Sequence, residues 1–126
     1  MGHREQLLAA ARQCLIERGY AGTTARDLVA ASDTNLGSIG YHFGSKEALL
    51  VEALNEAFTE YTEKVRAAAY GSSTDSADPR QVVETAWLTM ISIMSEYRPL
   101  LVALVEALAQ AERNESLRNR LAKGYE

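Results

Sequence analysis

Apolar residues recur at intervals of three and four along most of the chain, which predicts helices rather than strands. The first run extends from about Arg4 to Arg18, with Leu7, Leu8, Ala11, Cys14 and Leu15 on one stripe, and stops at Gly19, a residue that commonly ends helices. A longer run from Lys46 to about Ala69 repeats Leu50, Leu54, Ala57, Phe58, Tyr61 and Val65. Asp78 followed by Pro79 predicts another helix start, and that helix continues to about Arg98 with Val83, Ala86, Trp87, Met90, Met94 and Tyr97 on one side. Pro99 is expected to open a further helix whose Leu100, Leu101, Val102, Leu104, Val105 and Leu108 surround it. A helix apolar all round needs covering. Little chain is at hand to cover this one, so some of its surface is expected to lie open. The segment 71–79 is the one stretch with the small polar residues of a linker, and 115–126 reads as the opening of a helix. The chain is therefore expected to be part of a longer fold.

Between the first and the long run the pattern changes. Thr23 or Thr24 can cap a short helix that buries Leu28 and Val29. Ala31-Ser32-Asp33-Thr34 then breaks the periodicity, since Asp33 tolerates left-handed backbone and Thr34 or Asn35 can cap a second short helix. That helix, about Leu36 to His42, has only Leu36 and Ile39 as aliphatic residues and otherwise shows Asn35, Ser38, Tyr41 and His42. Its two glycines, Gly37 and Gly40, cost about 1 kcal/mol each relative to alanine, a cost that close approach to a neighbouring helix or to a phosphate backbone would offset. Ser45 caps the long helix. Two short helices joined by such a turn, then a third helix start, form a helix-turn-helix DNA reader.

Net charge is −4, which argues against a nucleic-acid partner until its distribution is considered. Residues 1–47 hold five basic residues (Arg4, Arg12, Arg18, Arg26, Lys46) against five acidic ones, so the acidity belongs to the remainder of the chain. A neutral reader implies few neutralised phosphates per subunit, and hence reliance on a dimer for tight binding. The lone Cys14 lies on a packing stripe, excludes an intrachain disulfide and suits the cytoplasm. The run Leu100 to Ala111 is interrupted by Glu106 and Gln110 and is too short to span a bilayer, so no membrane partner is expected. Only His3 and His42 offer imidazole, and no carboxylate pair faces them at catalytic or metal-binding spacing. Neither an enzyme nor a metal or cofactor site is expected.

Gly19-Tyr20, Thr23-Thr24, Gly37 and above all Tyr41-His42-Phe43-Gly44-Ser45-Lys46-Glu47-Ala48-Leu49-Leu50 resemble the N-terminal signature of the tetracycline-repressor (TetR) family of bacterial transcription regulators. The likeness is specific over residues 4–58. It departs at Asp33, where many members have glycine, and at Gly40, where many have an aromatic residue. The resemblance implies DNA contacts by Arg26, Ser38, Tyr41, His42 and Lys46, repression relieved by a small effector, and a homodimer. Geometry adds Asn35 as a reader of adenine and Leu36 as a partner for a thymine methyl, both placed with Ser38 on the outward side of the third helix, with inward packing as the alternative for Leu36; Thr24, at the start of the second helix, joins the candidates. Tyr41, His42 and Lys46 are expected on the sugar-phosphate backbone. For Arg26, an ion pair with Asp27 or Glu17 is the alternative. Phe43 is expected to clasp the reader to the long helix.

The expected fold is all-α. A three-helix reader at 1–48 is joined by the long connector helix to a helical ligand-binding and dimerisation domain at 49–126, expected to be incomplete. Its pocket would be lined by Phe58, Tyr61, Trp87, Met90, Met94 and Leu104, a set that suits an apolar or aromatic effector. A two-fold dimer would place its reader helices about one turn of double-stranded DNA apart. A protein-interaction module that has lost DNA binding is the rival reading.

Overall fold

A computed structural model describes residues 2–71 and 78–123, and among these every regular element is an α-helix: α1 (His3–Gly22), α2 (Ala25–Ser32), α3 (Leu36–Phe43), α4 (Lys46–Gly71), α5 (Pro79–Ala111) and α6 (Glu115–Lys123). The all-helical architecture is the expected one.

The first helix proper ends at Gly19, as predicted, and one further turn carries the chain to Gly22. Gly19 has φ 76° and ψ 178°, a backbone region open essentially to glycine alone. The break is held from both sides: Thr23 Oγ1 donates to the Gly19 carbonyl at 2.8 Å, and the Glu106 carboxylate of α5 lies where a Cβ would stand. Upstream, the stripe Leu7, Ala11, Cys14 and Leu15 is buried, so Cys14 is a packing residue. Burial pushes its thiol pKa up.

The expectation that α5 ends at Arg98 and a new helix begins at Pro99 is corrected: the helix runs unbroken through Pro99 for 33 residues. Two features allow it. The apolar spacing continues across the proline in register, with Tyr97, Leu100, Ala103, Leu104, Ala107 and Ala111 all buried on one face. Pro99 itself is exposed, as is Ser95, whose carbonyl loses its partner to the missing N–H and can bond water instead. Because the two runs merge, α5 is by length and composition apolar enough to cross a bilayer. Its buried face is nevertheless spent on α1 and α4.

Those contacts make one continuous core. Leu7, Leu15, Leu28, Leu49, Leu50 and Leu54 are fully enclosed, joined by Ile39 from α3 and by Leu117 and Leu121 from α6. The expected helix opening after residue 115 is thus a short helix that folds back onto the core, with Asn114 Oδ1 accepting the Leu117 N–H at 3.2 Å. Asp78 caps α5 as expected, accepting the Arg80 N–H at 3.0 Å. The linker residues 72–77 lie outside the described residues, as do 124–126.

Candidate nucleic-acid interface

The reader is built by local chemistry. At the start of α2, Thr24 Oγ1 accepts the Asp27 N–H at 3.1 Å while Asp27 Oδ2 accepts the Thr24 N–H at 2.9 Å, so two N–H groups left unpaired by the helix end are satisfied reciprocally. Hydrogen bonds to that carboxylate from Thr24, its backbone N–H foremost and then its hydroxyl, with Arg18 at 3.8 Å, hold the Asp27 carboxyl below its ordinary pKa. Asp33 ends α2 at φ 55°, ψ 41°, the left-handed conformation that its short polar side chain tolerates. Asn35 then caps α3, its Oδ1 accepting the Ser38 N–H at 3.0 Å. At the far end Gly44, at φ 88°, returns its N–H to the carbonyls of Gly40 and Ile39. Ser45 Oγ starts α4 by accepting the Ala48 N–H at 3.1 Å.

Held at both ends, α3 buries Ile39 and turns its other side outward. Leu36 is 59% exposed and Tyr41 86% exposed, and Gly37 and Gly40 lie on the same open surface. A Cβ at Gly40 would meet nothing, so no neighbouring helix explains that glycine. Tyr41 and His42 meet edge to face at 4.8 Å. Arg26 is exposed in the first turn of α2; its expected alternative partner Asp27 is taken by Thr24 and Arg18, and Arg26 makes no ion pair or hydrogen bond among the described residues. Lys46 is half-buried, with Nζ donating to the Thr23 carbonyl at 3.2 Å and 3.8 Å from Glu47. Phe43 clasps as expected, packing on the core beneath the Arg4 guanidinium at 5.2 Å.

The placement of Ser38 on the outward side is corrected. Ser38 is only 8% exposed, because its position in the helix turns it toward α1, where His3 Nδ1 lies 3.2 Å from its hydroxyl. Asn35 is exposed, but its carbonyl oxygen is committed to the cap, which leaves its amide nitrogen as the group facing outward. Thr24 likewise spends its acceptor on the cap.

The six expected ligand residues do not line one cavity. Phe58, Tyr61 and Leu104 surround a small enclosed space of about 10 Å³ with Tyr97, between α4 and α5. Met94 lies on an adjoining side of α5, in an open apolar groove of about 530 Å³ with Ile91, Val102, Val105 and Leu101, the last bordering both spaces. Trp87 sits farther along, beside Pro79 and Val83, and Met90 is half-buried. The predicted stripe assumes a helix ending at Arg98, whereas α5 continues and turns Tyr97 and Leu104 to the core, leaving Trp87 and Met94 outside.

Contacts between distant segments tie the helices together without a sign in the sequence. Arg12 pairs with Glu60, Arg4 with Glu52, and Arg120 Nη1 donates to Ser45 Oγ at 2.8 Å. No local spacing announces them, since each joins residues at least 48 positions apart.

The comparison with known proteins agrees with this geometry. Residues 7–53 match the profile of bacterial regulatory proteins of the tetR family. The HTH-type transcriptional regulator LmrA of Bacillus subtilis is 32% identical over 97% of this chain and 64% of its own length; the HTH-type transcriptional regulator QacR of Staphylococcus aureus is 26% identical over 98% and 63%. The chain thus spans just under two thirds of these relatives. Among solved structures, the multidrug binding protein EbrR complexed with imidazole superposes with a TM-score of 0.68 at 25% identity, over 98% of this chain and 67% of that one. Profile, relatives and architecture coincide on the same helix-turn-helix, and residues 7–53 are a reader of the tetR family of bacterial regulatory proteins.

Proposed function

We propose that this chain is the DNA-reading part, and a portion of the effector-responsive part, of a cytoplasmic transcriptional repressor that acts as a homodimer on a pseudo-palindromic operator. The observation that carries the reading is α3, a two-turn helix fixed by caps at both ends that keeps Leu36, Gly37, Gly40 and Tyr41 in the open. In the major groove, Leu36 would meet a thymine methyl and the Asn35 amide a base-edge acceptor, while Arg26, Tyr41, His42 and Lys46 would lie along the phosphates. Ser38 and Thr24 would serve by holding caps and packing, with their hydroxyls at the margin of the interface. Functionally the reader is 1–48 and the effector and dimerisation part 49–126, although one core joins them.

For the effector we favour an apolar or aromatic small molecule on the α5 side that carries Trp87, Met90 and Met94. The groove there is of the size ligands occupy, whereas the space between Phe58, Tyr61 and Leu104 admits none without movement. Multidrug binding by the structural relative EbrR supports a small-molecule effector. The effector acts if it binds better to the state in which the reader helices are wrongly spaced.

Selection from random duplexes, followed by salt titration of the enriched site, tests the proposal. A symmetric site bound more weakly as salt rises is the expected result. No symmetric site, or binding indifferent to salt, removes the regulator reading.

A further inference from the structure

Two arginine–glutamate pairs join α1 to α4 at the same sequence offset, Arg4 with Glu52 and Arg12 with Glu60. The two helices therefore run side by side in one direction, with the pairs as rungs about two turns apart. Only the second rung extends to α5. Arg12 Nη1 and Nη2 donate to the two carboxylate oxygens of Glu60 at 2.9 and 2.8 Å, and the Tyr97 hydroxyl donates to Glu60 Oε2 at 3.2 Å. Tyr97 is itself buried. Its ring lies 5.9 Å from the Arg12 guanidinium, 5.0 Å from Lys64 Nζ and 5.8 Å from the Tyr61 ring. The space beside it, about 10 Å³, is too small for the ring to be displaced while α4 and α5 stay in place. One carboxylate thus receives hydrogen bonds from the reader's first helix and from the helix that carries the open groove.

We infer that Arg12, Glu60 and Tyr97 are positioning residues through which α5 sets the angle of α1, and with it the presentation of α3. The inference rests on the reading of α3 as the DNA-facing helix. An occupant of the outer side of α5 that rotates or slides this helix by an ångström or two carries the Tyr97 hydroxyl beyond hydrogen-bond distance of Glu60. Bidentate geometry makes Arg12 follow the carboxylate rather than swivel independently. The first rung, which does not involve α5, has no part in this coupling.

The test measures distances between spin labels on the full chain, at exposed Ala30 of α2 and exposed Ser92 of α5, in a Cys14→Ala background. Tyr97→Phe removes one hydroxyl and keeps the ring; Glu60→Gln keeps the shape and removes the charge. Both are expected to shift the label distance by about 1–2 Å or to broaden its distribution. Glu52→Gln on the first rung and Glu96→Gln, which breaks the exposed pair between Glu96 of α5 and Lys64 of α4, are expected to leave it unchanged. An unchanged distance in Tyr97→Phe, or an equal change in all four variants, overturns the inference. Should Glu60→Gln fail to fold, Tyr97→Phe decides alone. Since the measurement needs no DNA, its failure is distinct from failure of the operator selection.

Discussion

Two exposed surfaces of this molecule, on α3 and on α5, are built in opposite ways. On α3, eight residues long, the outward side mixes polar, aromatic and backbone-bare positions, and each end is tied by a cap. On α5, 33 residues long, the outward side is a ribbon of Val83, Trp87, Ile91, Met94, Val102, Val105 and Leu108, and the helix is held by the apolar stripe on its other side. The comparison teaches where each helix takes its stability from. A short helix cannot persist on propensity alone, so α3 depends on capping and on Ile39 in the core. A long helix with a continuous buried stripe tolerates an internal proline and a hydrophobic outer face. The first arrangement fixes side chains for reading a surface; the second leaves an apolar strip for another apolar surface to cover.

The largest expected effect separates the shared core from both surfaces. Leu50 is fully enclosed among α1, α4 and their neighbours, and Leu50→Ala should cost about 2–5 kcal/mol in chemical denaturation. Because the core is continuous, the loss should appear in one cooperative transition that melts the reader and α5 together. Two separate transitions would show that the halves fold independently.

Gly19→Ala acts at the junction of the two regions. The carboxylate tip of Glu106 lies 2.7 Å from an added Cβ and can swing aside, but φ 76° with ψ 178° remains forbidden to alanine. About 1–3 kcal/mol of destabilisation is expected. Adding Glu106→Ala should recover little of it, which a double-mutant comparison would check; full recovery would assign the cost to the clash.

These elements also show what the sequence revealed and why it stopped there. Thr24, Asp33, Asn35 and Ser45 act on backbone groups within a few positions of themselves, so the reader's turn and helix starts are written locally and are legible, with Thr23 and Thr34 as the neighbouring alternatives; the Gly44 cap is shown by the structure. Leu36, Tyr41 and Arg26 followed from counting around short helices. The burial of Ser38 has no such local sign, because it depends on the start of α1, 35 positions away. The usual effect of proline predicts a break in α5, although burial in register on either side outweighs it. The ligand residues inherited that error, and the Arg12, Glu60 and Tyr97 contact, joining three helices, has no local signature at all.

Two substitutions on the reader, each worth about 1 kcal/mol, should move stability in opposite directions. Thr24→Ala removes the reciprocal cap of α2 and should destabilise by about 1 kcal/mol. Gly40→Ala fills open space in α3 and should stabilise by up to about 1 kcal/mol. If Gly40 is retained for close approach to a phosphate backbone, the more stable variant should bind the selected operator more weakly. Stabilisation with undiminished binding would remove that role from Gly40.

Acid should weaken the contact between the two regions before it affects the outer face of α5. Hydrogen bonds from Arg12 hold the Glu60 carboxyl below its ordinary value of 4.5, with Tyr97 contributing in the same direction. A carboxyl depressed in the folded state contributes stability above its unfolded pKa and loses it as pH falls through the folded one. The melting temperature should therefore decline below about pH 4.5, and Glu60→Gln should flatten part of that decline. Identical pH profiles for the two proteins would mean that the pair is no stronger than a solvated surface contact.

The smallest expected change in stability belongs to the open ribbon itself. Val102 and Val105 are 52% and 64% exposed, so folding buries little of either side chain. Val102→Ser with Val105→Ser should therefore shift unfolding by no more than about 0.5 kcal/mol per site. Their consequence should lie in association, because both valines line the apolar groove with Ile91 and Met94. Sedimentation at rising concentration and binding of a hydrophobic dye should both decrease in the double variant, while operator selection with its unaltered α3 should recover the same site. A large loss of stability would instead mean that these valines are packed in solution, and that the ribbon is already covered there.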